Sequence, residues 1–210
     1  NLLEILTHIG HSEKVFIMNR FLLILILTFS FQTLSNADDI RDFQIEGMSI
    51  GDSLTDYFTE DVILKDTGHY DNNKFVYSYI YGHPSFKIYD SLSIAYKSKD
   101  KKFTIYSIEA SIGYRYNIDE CHIDKKKIVS ELVKLFDKNA DTYQSNYSGD
   151  KSGESESFIT DIDLGKKGQA RVICYDISEK LTKEKGWWDR LSVIINTSEF
   201  STFLNEKAYK

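Results

Sequence analysis

Apolar and polar positions divide the chain into blocks that alternate with a period of two and blocks with a helical period. Phe75 to Tyr81 sets Phe75, Tyr77, Tyr79 and Tyr81 against Val76, Ser78 and Ile80, which predicts a strand. Gly82-His83-Pro84 breaks it. Ile88 to Lys97 follows with Leu92, Ile94 and Tyr96 on one face. A charged turn, Lys97 to Lys102, leads into Phe103 to Tyr116, where Tyr106, Ile108, Ala110, Ile112 and Tyr114 share a face. These two segments are expected to form an antiparallel hairpin. Ser157 to Leu164 and Ala170 to Ser178 make a second pair around Gly165-Lys-Lys-Gly168. The latter is apolar on both faces, as a central strand would be. Trp187 to Asn196 reads as a last strand. Arg41 to Gly47 reads as a short first one.

Helical signals lie between these blocks. Asp52 is placed to cap a turn of helix bearing Leu54, Tyr57 and Phe58. Thr59 to Val62 restarts a second turn. Asn117-Ile-Asp-Glu120 has the form of a capping box and opens the strongest helix, running to about Asn139. Cys121, Ile128, Leu132, Leu135 and Phe136 fall near one stripe of it. Lys125, Lys126, Lys127, Glu131 and Lys134 are expected mostly to face water. Ala140 to Ser157 is rich in Ser, Gly, Asp and Glu and reads as a mobile loop, and Glu179 to Gly186 as a connector. Ser198 can cap a terminal helix carrying Phe200, Phe203 and Leu204. Helix followed by antiparallel strands occurs twice, without a residue-level repeat. The order predicts a single α+β domain, an antiparallel sheet with helices packed on one face.

Residues 18–37, MNRFLLILILTFSFQTLSNA, change the picture of the chain before Asp38. A short basic start, an apolar run from Phe21 to Phe31 and small residues at Ser35 and Ala37 have the order of a secretory signal peptide. The run falls short of the roughly 20 apolar residues that span a bilayer core. The alternatives are an N-terminal anchor or a buried helix. Residues 1–17 precede Met18 and are read as an upstream, non-native extension; a genuine amphipathic extension is the alternative. The exported domain is then 38–210, periplasmic or secreted, with no stable membrane span after cleavage.

Charge and cysteine usage follow from that reading. Residues 1–37 hold Lys14 and Arg20 against Glu4 and Glu13, so the remainder keeps the net charge of −6 of the whole chain. An acidic chain whose longest basic run is Lys125-Lys126-Lys127 is a poor partner for nucleic acid or anionic lipid. The two cysteines, Cys121 and Cys174, most simply form one disulfide in an oxidising compartment. Such a bridge would pin the main helix to the Val172/Cys174 face. Two unpaired buried thiols are the alternative.

Candidate chemistry is sparse. His69, His83 and His122 lack metal-ligand spacing, and no metal or other cofactor is expected. Asp161 and Asp163 share a strand face before Gly165 but lack the rest of a calcium loop. No GxSxG elbow, no GxxxxGK[ST] loop and no GxGxxG fingerprint is expected. The candidate binding residues are Tyr77, Tyr79, Tyr81, Trp187 and Trp188, because exposed aromatic rows mark contact surfaces. One of the adjacent tryptophans is expected to be buried and the other exposed. The alternative is that all five cover the core.

Two resemblances follow from quoted segments. The stretch IRDFQIEGMSIGDSLTDYF, with DKSGES and ICYDISE later, resembles a group of uncharacterised small secreted or periplasmic proteins of AT-rich marine alphaproteobacteria. That resemblance implies export across an inner membrane and supplies no activity. Gly47-Met48-Ser49-Ile50-Gly51 leading into a helix and antiparallel strands is similar in plan to small envelope modules such as BamE-like and beta-lactamase-inhibitor-like domains. That likeness concerns architecture alone. The leading expectation is a non-catalytic binding or envelope-associated module for an unknown protein or small ligand. The alternatives are a hydrolase acting on envelope or extracellular material, and a purely structural envelope component.

Overall fold

The structure is a computed structural model and describes residues 40–208. Residues 18–37, expected to be a signal peptide, and residues 1–17 before them lie outside the described residues. Eight strands form one antiparallel sheet: β1 (Thr67–His69), β2 (Phe75–Tyr81), β3 (Ser91–Lys97), β4 (Ser107–Gly113), β5 (Asp141–Asn146), β6 (Glu156–Asp163), β7 (Gly168–Asp176) and β8 (Arg190–Thr197). The order across the sheet is β1-β2-β3-β4-β8-β7-β6-β5. Among the described residues four α-helices accompany it: α1 (Glu60–Lys65), α2 (Ile118–Phe136), α3 (Glu179–Lys185) and α4 (Ser198–Glu206). The two halves of the chain therefore share one plan. In each, a helix precedes a four-strand meander, and the last strands, β4 and β8, meet at the centre. The expected α+β class holds.

Alternation assigns the faces. Val76, Ile80, Leu92, Ile94, Tyr96, Ile108, Ala110, Ile112, Ile162, Val172, Cys174, Leu191, Val193 and Ile195 point to the first face. There they join Ile63 of α1 and Cys121, Leu132 and Phe136 of α2 in the main core. Burying one such side chain contributes about 1.5–3 kcal/mol. Cys121 and Cys174 are bonded with Cα atoms 6.0 Å apart, so α2 is fixed over β7 as the stripe implied. The terminal helix α4 packs on the second face, where Phe200 and Phe203 meet Phe75, Ala95 and Tyr77.

Several local expectations are corrected. Arg41 to Gly47 is not a strand. A 3-10 turn at Ile40–Asp42 leads into a two-residue hairpin in which Ile45 and Met48 exchange backbone hydrogen bonds. Glu46 and Gly47 both have positive φ, as a type I′ turn requires. Asp52 caps backwards, accepting from the Ser49 amide at 2.8 Å, and the next helical turn is a 3-10 segment, Leu54–Asp56. In α2 only half of the capping box forms. Asn117 accepts from the Glu120 amide, but Glu120 bonds the Asn117 side-chain amide and leaves the backbone N–H to Tyr114. α2 stops at Phe136 because Asp137 turns left-handed. Lys125 does not face water; it is 7% exposed, and burial lowers its pKa. The polar stretch from Ala140 is not a loop throughout. It contains edge strand β5, whose residues are all exposed. Strand formation there follows from backbone pairing with β6, which no hydrophobic pattern announces. The connector after β7 holds α3, capped by Ser178.

Candidate binding face

The second face is built from the residues that alternate with the core. Strand pairing lines them up in rows across the sheet. Tyr81, Ser91, Ser111, Ser192, Ile173, Ile159 and Tyr143 stand opposite one another from β2 to β5. The adjacent row runs Tyr79, Ser93, Glu109, Ile194, Arg171, Asp161 and Asp141. Serines occupy the middle strands β3, β4 and β8, and tyrosines stand at both flanks. The Ser111 and Ser192 hydroxyls share a 2.8 Å hydrogen bond. Asp161 is held by Arg171 at 2.8 Å and by the Tyr143 hydroxyl at 2.9 Å.

At one end of this face aromatic rings and arginines interleave. Gly113, Arg190 and Tyr175 are neighbours on β4, β8 and β7. The Arg190 guanidinium lies 4.1 Å from the Tyr175 ring centroid and 5.5 Å from that of Tyr147. Trp187 packs edge-on against Tyr147 at 6.4 Å. Trp188 lies beside Gly113, whose missing Cβ would sit 3.9 Å from its ring, and Arg115 covers Trp188 at 4.4 Å. Burial drives the Tyr175 phenol pKa far up, with Glu109 adding to the effect, so the ring stays neutral. Asp189, between Trp188 and Arg190, turns inward to accept the Ile177 amide at 2.9 Å; burial raises its pKa.

The structure separates the five candidate aromatics into two kinds. Tyr79 and Tyr81 are 42% and 74% exposed on the second face. Tyr77 is on the same face but packs into the α4 cluster against Tyr70, so it belongs to the core. Trp187 and Trp188 are both exposed, which corrects the expectation of one buried ring. They precede β8 rather than lying in it, so strand alternation does not apply to them. Arg115, Arg190, Tyr147 and Tyr175 complete the cluster. Sequence offers only one signal for them, the proximity of Arg190 to the tryptophan pair.

The titratable candidates do not converge. His69 is on β1 at one edge of the sheet, whereas Asp161 and Asp163 are on β6 beside the other. His83 sits in the β2–β3 connection against Phe58 and Phe86 and hydrogen-bonds Ser85. His122 packs on Phe158, on the core face. Among the described residues no group of three or more His, Cys, Asp or Glu is placed to hold a metal. The expectation of no GxSxG spacing is corrected: Gly47-Met48-Ser49-Ile50-Gly51 has the spacing of a nucleophile elbow, though not its setting. The elbow needs a strand before it and a helix after it. Here Ser49 follows the small hairpin, and its hydroxyl donates to the Phe43 carbonyl at 3.5 Å.

No protein-family model, no curated protein and no solved structure matches the chain. The reading of the site therefore rests on its geometry.

Proposed function

We propose that the protein is an exported, periplasmic or secreted, non-catalytic binding module that engages a partner through the second face of its sheet. The observation that carries this reading is the placement of exposed Tyr79, Tyr81, Trp187 and Trp188 along one face of the sheet. Tyrosine, tryptophan and arginine are the residues that dominate binding energy at protein interfaces. The histidines and aspartates that a hydrolase would gather lie on different elements, so the geometry favours binding over hydrolysis.

A photo-cross-linking residue at Tyr81, compared with one at exposed Ile123 on α2, tests this reading. The expected result in the producing cell's envelope fraction is one discrete adduct from position 81 and none from 123. Equal adducts from both positions, or none from 81 alongside turnover in a broad hydrolase screen, would reverse it.

A further inference from the structure

We infer that the Arg115/Arg190 end of this face is an anchor for an acidic peptide segment of the partner. The inference rests on the binding reading above and adds the partner's chemistry. A chain of net charge −6 has few arginines to spend on its surface, yet it places two of them at one end of one face. Other basic groups on this side of the sheet are taken up by carboxylates. Arg171 pairs with Asp161, and Lys74 and Lys97 pair with Glu199.

Arg115 and Arg190 differ: among the described residues neither forms an ion pair. Each lies over aromatic rings instead, Arg115 on Trp188 and Arg190 on Tyr175 and Tyr147. Stacking fixes the plane of a guanidinium while leaving its edge N–H donors free. Arg190 uses one of them, towards the Tyr147 hydroxyl at 3.3 Å. The remaining donors form forks of the kind that bind carboxylates through two parallel hydrogen bonds. The nearest carboxylate in sequence, Asp189, is turned to the Ile177 amide and does not compete.

The exposed faces of Trp187 and Trp188 flank the two guanidiniums. Exposed Tyr81 stands three strand spacings from β8, or roughly 14 Å, on the same face. That layout fits an extended segment whose carboxylates reach the arginines and whose apolar side chains lie on the aromatic rings. Arginine with tryptophan and tyrosine is the composition of an interface anchor, which favours a peptide over a free anion.

A random-peptide display library panned on the intact 38–210 protein tests the inference. The expected result is enrichment of aspartate and glutamate in the retained peptides. Binding by a retained peptide should fall about tenfold in Arg115→Gln and again in Arg190→Lys, which keeps the charge but loses the fork. Raising salt should weaken it further. The protein's two tryptophans both lie in the site, so intrinsic fluorescence reports occupancy without a label. Thermal melting of each variant separates lost binding from lost folding. Peptides without acidic enrichment, or acidic peptides whose affinity ignores both substitutions, would overturn the inference. So would saturation by a uronate oligosaccharide with no retained peptide at all. Any of these outcomes, with the Tyr81 adduct still formed, leaves the binding reading standing and removes only the acidic anchor.

Discussion

At Asp150 a single carboxylate organises a stretch with no hydrophobic pattern. It accepts from the amide and hydroxyl of Ser152, the amide and hydroxyl of Ser155 and the hydroxyl of Ser178. These donors, the Ser155 hydroxyl foremost, hold its pKa well below the usual carboxylate range. A depressed folded-state pKa stabilises the fold above the unfolded value of about 3.9, and the contribution is lost as pH falls below it. Asp150→Asn is therefore expected to lower the melting temperature at neutral pH, with the gap to wild type closing below about pH 3.9. Parallel thermal melts across that range check it; a gap that stays constant would remove Asp150's charge from the account. DKSGES was visible in the sequence, but not as a folded loop. Its order comes from one acidic oxygen pair meeting donors from two separated segments, and no periodicity encodes that. Lys125 illustrates the same limit from the other side. Its position in a basic triplet implied solvent, yet it is buried, without an ion-pair partner among the described residues. Burial lowers its pKa, so its charge opposes folding below that pKa and the cost fades as pH rises towards about 10.4. Lys125→Met should raise stability at neutral pH by about 1 kcal/mol, and the gain should shrink in alkaline urea titrations.

Among the elements, α2 and β7 were the most legible. A helix of nineteen residues with one apolar stripe, and a strand apolar on both sides, leave little choice of where to pack. The Cys121–Cys174 bond then joins them. Replacing both cysteines with alanine should lower unfolding stability by up to roughly 4 kcal/mol, measured by denaturant titration. An unchanged midpoint would mean that packing alone positions α2. Strand β5 was illegible because its six residues are all exposed; its only commitment is the ladder with β6. The tryptophan pair was misplaced for a related reason. The strand is expected from Trp187, but the ladder with β7 and β4 begins at Arg190, and the Asp189 side chain before it turns inward to the Ile177 amide.

The described residues form a sheet with unequal faces. The first is filled by α1, α2 and the main core; the second carries α4 at the Phe75/Ala95 end and the aromatic–arginine cluster at the other. No helix among the described residues is long and apolar enough to cross a membrane. Under the export reading, protein recovered from the envelope or medium should begin at Asp38. Amino-terminal sequencing of that material checks it, and a start at or before Met18 would count against cleavage. The binding and export proposals are separable at this scale, since the proposed cleavage site precedes every element that builds the face.

By itself the sequence determined the α+β class, most strand positions, the dominant helix and the pairing of the only two cysteines. It did so because alternation and helical period are local and record which side of an element is buried. Strand order and register were decided by the tertiary structure, and these are what bring distant residues together. Tyr81 joins Ser91, Ser111 and Ser192 in one row, and Arg190 stacks on Tyr147 across three strands. The physical reason is that an exposed residue meets its neighbours through backbone pairing of remote segments. Its own local pattern constrains only the side on which it lies.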